Sequence, residues 1–279
     1  MSQDREANLF IAVGFKGVGK TYRTTQELKI YVQDDPATGR RGRTVAILDA
    51  NDEFRQFKSL AYDVEEKDEW KRTAPIRAMK GRRTIFRISP IKKNKRPMNS
   101  KEIAQAAVDL CNHYRQGLIL FEDFNKYFGN KDDEDFVGTL VTLRHKAVDV
   151  IIHLQSLSKV RPTLWQNVGY IRFHKISDEI KRYKNRVPNY QFFQLVQHIV
   201  NEEYPNNQHY FVMADIMGSK MHGVTELQFM AGCKRMVISD PSILKKKMAH
   251  VDFETGRKQF KDQKEAFNHF VSEMKQQYL

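Results

Sequence analysis

Short runs of consecutive apolar residues alternate with stretches in which apolar residues recur every three or four positions. Leu9–Val13, Thr44–Leu48, residues 118–121 and Val148–Leu154 are the strongest runs, each the length of a buried strand. Residues 84–88 and 170–173 are weaker examples. Between them, residues 21–32 read as a helix with Leu28 and Tyr31 on one side. Residues 101–115 read as another, with Ile103, Ala107, Leu110 and Tyr114 at helical spacing, Ser100 as its cap and Gly117 as its stop. A further helix is expected from about residue 133 to 146. Residues 34–43, with Pro36 and Gly39, and residues 89–97, basic and bounded by Pro97, are loops. Residues 51–82 are mixed and charged, and predict irregular structure with one or two short helices. Strands alternating with helices build βαβ units. The expectation is therefore a three-layer α/β fold with a mainly parallel central sheet and helices on both faces.

After residue 176 the pattern changes. Residues 178–200 predict one or two helices broken near Pro188. Residues 210–213 and 225–229 read as strands, and 258–277 as a polar, amphipathic helix. The chain thus divides into a core, residues 1–175, and a smaller C-terminal α+β extension, residues 176–279. No internal repeat or low-complexity segment interrupts it.

The first strand runs directly into Gly14-Phe-Lys-Gly-Val-Gly-Lys-Thr21, which fits G-x-x-x-x-G-K-[ST] between a strand and a helix. The chemistry explains the residues. Glycines let the backbone curl so that successive N–H groups face a phosphate, and the helix that follows presents its positive end. Lys20 would reach the β- and γ-phosphates, and the Thr21 hydroxyl would bind Mg²⁺. A chance glycine-rich turn would not meet all four fixed positions in this setting. The motif therefore marks a P-loop for ATP and Mg²⁺, with Gly14, Gly17, Val18, Gly19, Lys20, Thr21 and Tyr22 as the nucleotide-binding set. Lys16 is a variable position, expected in solvent.

A P-loop needs carboxylates at the end of a neighbouring strand. Glu122-Asp123 follows the most apolar run and supplies the expected metal and catalytic acids. Either Glu122 holds the metal and Asp123 is the base, or Asp123 holds the metal; the sequence leaves both open. Asp49 ends the second strand and is equally readable as a nucleotide contact or as part of a turn. Gln155, after the run 148–154, is the candidate sensor of the γ-phosphate or lytic water, since ligands bind at that edge of an open sheet. His153 reads as a packed strand residue. Arg144 could neutralise transition-state charge, within its own subunit or across an interface, or could simply be a cation at a helix end. Arg161, Arg172 and Arg182 are weaker arginine candidates.

Composition narrows the setting. The chain has 279 residues, 41% of them hydrophobic and 29% charged, which suits a globular protein with a sizeable core. Residues 1–7 are polar and do not resemble a signal peptide, and no apolar run approaches the length of a membrane span. Cys111 and Cys233 lack metal-ligand spacing and are expected as free thiols in a reducing cytoplasm. A formal net charge of +13 favours a polyanionic partner.

The order of P-loop, Asp-ending strand, Glu122-Asp123, Thr142-Leu-Arg-His-Lys146 and a strand ending Leu-Gln-Ser156 resembles the FtsK/HerA superfamily of DNA-pumping ATPases. Within it the chain is most similar to viral genome-packaging ATPases and to zonula occludens toxin-like phage assembly ATPases. The resemblance covers about residues 8–175. It implies a ring-forming ATPase, usually a hexamer, that grips DNA by its backbone rather than its bases. The basic stretches 92–96 and 245–247 would line such a track if they were more than solvated loops. A phage assembly or secretion factor is the alternative within the resemblance. A small-molecule kinase is a further one that explains the P-loop but not the charge.

Overall fold

The computed structural model describes residues 7–128, 138–140, 142–251 and 258–279. Two compact units emerge, Met1–Gly169 and Tyr170–Leu279.

In the first unit the apolar runs become strands: β1 (Leu9–Val13), β2 (Thr44–Leu48), β4 (Ile85–Ile88), β5 (Gly117–Phe121) and β6 (Val148–Leu154). A two-residue β3 (Lys58–Ser59) joins them. They lie in the order β3-β4-β2-β5-β6-β1, every neighbouring pair parallel. Helices flank both faces of the sheet. Strands buried on both faces need no alternation, which is why β2, β5 and β6 read as mainly apolar runs, every residue buried. Alternate residues still face one helix layer or the other. Val45, Ile47, Leu118, Leu120 and Ile151 form one core cluster with Leu28 of α1 (Lys20–Tyr31). Each such burial contributes about 1.5–3 kcal/mol.

Two further helices belong to this unit, α2 (Glu69–Arg77) and α3 (Ser100–His113), followed by the single turn α4 (Pro162–Trp165). α3 is capped by Asn99 rather than Ser100. The Asn99 side chain accepts from Glu102 N, and the Glu102 side chain accepts from Asn99 N, satisfying two otherwise unpaired amides. Gly117 does not stop this helix but opens β5. Tyr114 caps the helix and Gln116 makes the turn at φ +55°. A Cβ on Gly117 would lie 2.1 Å from the Tyr114 hydroxyl and 2.4 Å from Thr44 O, so close packing rather than helix termination calls for glycine there. Of the helix expected over 133–146, residues 133–137 and 141 fall outside the described residues, residues 138–140 and 142 are helical, and Leu143–Lys146 is a 3-10 turn.

In the second unit β7 (Val168–His174), β8 (Phe211–Asp215) and β9 (Lys220–His222) pair antiparallel from Tyr170 onward. The helices are α5 (Tyr190–Glu203), α6 (Glu226–Ser239), α7 (Ser242–Met248) and α8 (Gln263–Tyr278). Two expectations fail here. Residues 225–229 are not a strand but the first turn of α6. Thr225 caps it by accepting from Gln228 N while Gln228 accepts from Thr225 N, a local hydrogen-bond pattern that overrides the apolar spacing. Lys245–Lys247 are likewise helical, within α7, and not a loop. Both cysteines are free and buried, and burial pushes the Cys233 thiol up to about 12. Among the described residues no helix is long and apolar enough to cross a membrane.

Candidate nucleotide-binding site

The parallel sheet brings the carboxyl ends of β1, β2, β5 and β6 to one edge, where open α/β sheets place their ligands. β1 leaves the sheet at Gly14, whose N–H still bonds to Leu154 O on β6 at 3.1 Å. The loop then turns through Gly17 at φ +91° and Gly19 at φ +86°, a region that side chains other than glycine's rarely adopt. Val18 is 1% exposed and pins the loop to the core. Gly19 caps α1 without a side-chain bond, and the first turn of α1 holds no acid. The amides of this helix start are therefore left to an external anion. Lys20 Nζ donates to Gly14 O and to Phe15 O, so the ammonium is held over the curl by the loop's own carbonyls.

A cavity of about 710 Å³ opens above the loop, lined by Lys16, Lys20 and Thr21 on one side and by Glu53, Glu122 and Asp123 among others. Glu122 directly follows β5, is buried, and accepts from Asn51 Nδ2 at 2.9 Å through Oε1. Its Oε2 is buried without a hydrogen-bond partner. Burial first, then the carboxylates of Glu53, Asp123 and Asp49, push its carboxyl up to about 8 against the opposing Asn51 bond. Asp123 adopts a left-handed backbone at φ +46°. It receives Asn51 Nδ2 at 3.3 Å and Gln155 Nε2 at 3.4 Å. Lys126 in turn donates to Asn51 Oδ1 at 2.9 Å, which orients the Asn51 amide toward the two acids.

The structure thus brings Lys20, Thr21, Glu122, Asp123 and Gln155 around one cavity, with Gly17 and Gly19 in its wall. Lys16 is exposed, as expected, yet it also lines the cavity. Gly14 and Val18 lie behind it as buried supports, and Tyr22 points outward, 71% exposed. Arg144 is exposed in the turn preceding β6, whereas Gln155 follows that strand. Seven strand residues separate the two edges by about 20 Å. Among the described residues, no arginine lines the cavity. Arg172 is buried within β7, and Arg182 is exposed with Glu179 as its partner.

Asp49 resolves to a structural residue. Its fully buried carboxylate accepts from Glu53 N and Phe54 N and pairs with Arg87 at 2.7 Å. His153 is also built into the interior, bonded to Thr24 of α1 at 2.8 Å. Sequence reasoning missed Asn51, Glu53 and Lys126. Glu53 accepts from the Thr21 hydroxyl at 2.8 Å. The cluster Asp49-Ala-Asn-Asp-Glu53 was visible as a polar strand end, but only the turn decides which of its side chains face the cavity.

The donor set suits a magnesium nucleotide. Curled amides and two lysines match phosphates. A hydroxyl beside three carboxylates, one with an unsatisfied buried oxygen, matches a hard cation. Among the described residues no three His, Cys, Asp or Glu side chains form a ready-made metal centre, so the cation would share its ligands with the phosphates.

No family model and no curated protein matches the chain. Solved structures do. The genome packaging NTPase B204 from Sulfolobus turreted icosahedral virus 2, in complex with ATP-gammaS, is 15% identical with a TM-score of 0.53, over 79% of this chain and 97% of that one. The same protein with AMPPCP is 14% identical with a TM-score of 0.53, over 77% and 96%. The N-terminal domain of zonular occludens toxin from Neisseria meningitidis is 14% identical with a TM-score of 0.34, over 60% and 76%. The chain has the P-loop NTPase fold that the packaging protein also has.

Proposed function

We propose that this chain is a Mg²⁺-dependent ATPase that moves DNA, of the viral genome-packaging type in the FtsK/HerA superfamily. One observation carries the reading: an uncapped helix start and Lys20 face a desolvated Glu122 across a single cavity.

In this reading the amides of residues 14–20 cradle the phosphates, and Lys20 exchanges its two loop carbonyls for phosphate oxygens. Tyr22 flanks the bound nucleotide. Thr21 and Asp123 would hold the cation, with the Thr21 hydroxyl turning to it from Glu53. The cation neutralises charge on the phosphates. Glu122 accepts a proton from the attacking water once it is ionised; burial raises its carboxyl to about 8, which strengthens the ionised form as a base while keeping much of the group protonated at neutral pH. Gln155 orients that water. Arg144 is too far from its own cavity and would serve a neighbouring subunit's, as a ring requires. The high positive charge supports a partner held by its phosphates.

The test is ATP hydrolysis with and without double-stranded DNA, in the native protein and in Lys20→Ala. DNA should raise the native rate. Lys20→Ala should abolish turnover while circular dichroism reports an intact fold. Unchanged hydrolysis in Lys20→Ala rejects the site, and hydrolysis indifferent to DNA rejects the motor.

A further inference from the structure

The same parallel register that gathers the carboxyl ends of the strands gathers their amino ends at the opposite edge. Thr44 of β2 stands beside Gly117 of β5, Gly117 beside Val148 of β6, and Val45 beside Ile85 of β4. The segments that enter these four strands are therefore neighbours. They are residues 34–43, 80–84, 114–116 and 143–147, and they carry Arg40, Arg41, Arg43, Lys80, Arg82, Arg83, Arg115, Arg144 and Lys146 against two carboxylates, Asp34 and Asp35.

Those carboxylates are largely committed. Asp34 accepts from Gly42 N at 2.8 Å and pairs with Arg83 at 2.5 Å, while Asp35 accepts from Ala37 N and Thr38 Oγ1. Arg41, Lys80 and Arg82 are exposed and have no ion-pair partner among the described residues. Burial first, and then the neighbouring Arg115, lowers the Lys146 ammonium pKa. Like charges crowded without a counter-charge cost stability unless an anion offsets them.

Two other basic stretches have part of their positive charge already paired. In the basic loop 89–97, Lys92 pairs with Glu65 and Glu102, and Lys93 pairs with Asp63. On α7, Lys247 pairs with Glu273. The rim is fixed by backbone, since Thr44 Oγ1 bonds Met79 O at 3.1 Å and Arg40 bonds the last carbonyls of α1. Four strands at roughly 4.8 Å spacing make a line about 15 Å long. Over that length a duplex presents about nine negative charges, at one per 1.7 Å. A single phosphate or small ligand would need a pocket instead. The exposed residues of 80–84 are Lys, Gly, Arg and Thr, with no apolar side chain to enter a bilayer.

We propose that this cationic rim, on the sheet edge opposite the nucleotide cavity, is where the protein grips the DNA backbone. The assignment rests on the motor reading and locates its track. Nucleotide and DNA would then act on opposite ends of the same strands.

The experiment measures binding of a duplex of about 30 base pairs over a range of salt concentrations. It compares the native chain with the triple variant Arg41→Gln, Lys80→Gln, Arg82→Gln. These side chains are exposed, and thermal unfolding checks that the variant is folded. The expected result is a salt slope shallower by about 2–3 and affinity reduced at least tenfold. The charge-keeping triple Arg41→Lys, Lys80→Arg, Arg82→Lys should retain the native slope. The pair Lys92→Gln, Lys93→Gln should change it by less than one.

A native slope and affinity in the neutral triple overturn the rim while leaving the motor reading intact. So does loss confined to the other exposed basic stretch, tested with Lys181→Gln, Arg182→Gln, Lys184→Gln, Arg186→Gln. Failure of the native chain to bind DNA at any salt overturns the motor reading as well. If the neutral triple keeps its DNA affinity but no longer binds vesicles one-third phosphatidylserine in phosphatidylcholine, the partner is a membrane and the proposal is wrong.

Discussion

Two adjacent acids, Glu122 and Asp123, differ because their surroundings differ. Glu122 is buried, its Oε2 lacks a partner, and burial pushes its carboxyl up to about 8. Relative to an unfolded carboxyl near 4.5, the folded state binds the extra proton. The nucleotide-free protein should therefore lose stability as pH rises from about 4.5 to about 8, and change no further from this group above that window. Glu122→Gln removes the penalty. Its melting temperature should match the native one near pH 5 and exceed it at pH 8.5, by an amount equivalent to at most roughly 4 kcal/mol, while hydrolysis is lost. A native melting temperature that is flat over this range would show that Glu122 is ionised and solvated. Asp123→Asn should act differently, raising the Mg²⁺ concentration needed for half-maximal hydrolysis at least tenfold. If the two substitutions exchange these effects, Glu122 is the metal ligand and Asp123 the base. The sequence placed both acids at the strand end but could not divide their roles, because burial and the Asn51 contact come from a strand some seventy residues earlier.

At the scale of the element, the end of β2 illustrates how a turn decides chemistry. In the sequence Asp49 reads equally as a nucleotide contact or as part of a turn. The turn spends its carboxylate on Glu53 N, Phe54 N and Arg87, and sends Asn51 and Glu53 into the cavity instead. Asp49→Ala leaves Glu53 N and Phe54 N without their acceptor and removes one of the two carboxylates, Asp49 and Asp52, that hold the Arg87 guanidinium. It should cost about 2–4 kcal/mol in urea unfolding. A surface-like cost below about 1 kcal/mol would return Asp49 to the list of direct nucleotide contacts. Apart from the exposed two-residue β3, the strands of the first unit and α1 were legible because both faces of a parallel sheet are buried and the P-loop marks where β1 ends. The start of α6 was misread because a short apolar window suits strand and helix alike, although its Thr225–Gln228 cap was written in the sequence.

For the molecule as a whole, the position of Arg144 has a consequence for assembly. About 20 Å of strand separates it from the cavity of its own chain, so any catalytic arginine role must be exercised between chains. Arg144→Ala and Lys20→Ala should each be inactive alone. Mixed together they should recover measurable hydrolysis, since a Lys20→Ala chain can lend its arginine to an intact cavity next to it. No recovery on mixing, with assembly confirmed by light scattering, would remove Arg144 from catalysis.

The sequence by itself determined the nucleotide cradle, the alternating core and the excess of positive charge. Each of these is written in residues close together along the chain, as a loop motif, a hydrophobic period or a composition. The tertiary structure decided which acids lose their water, which lysines are already neutralised and which cations share a sheet edge. Those outcomes depend on parallel strand register, which sets residues from four distant segments side by side and carries no local signature.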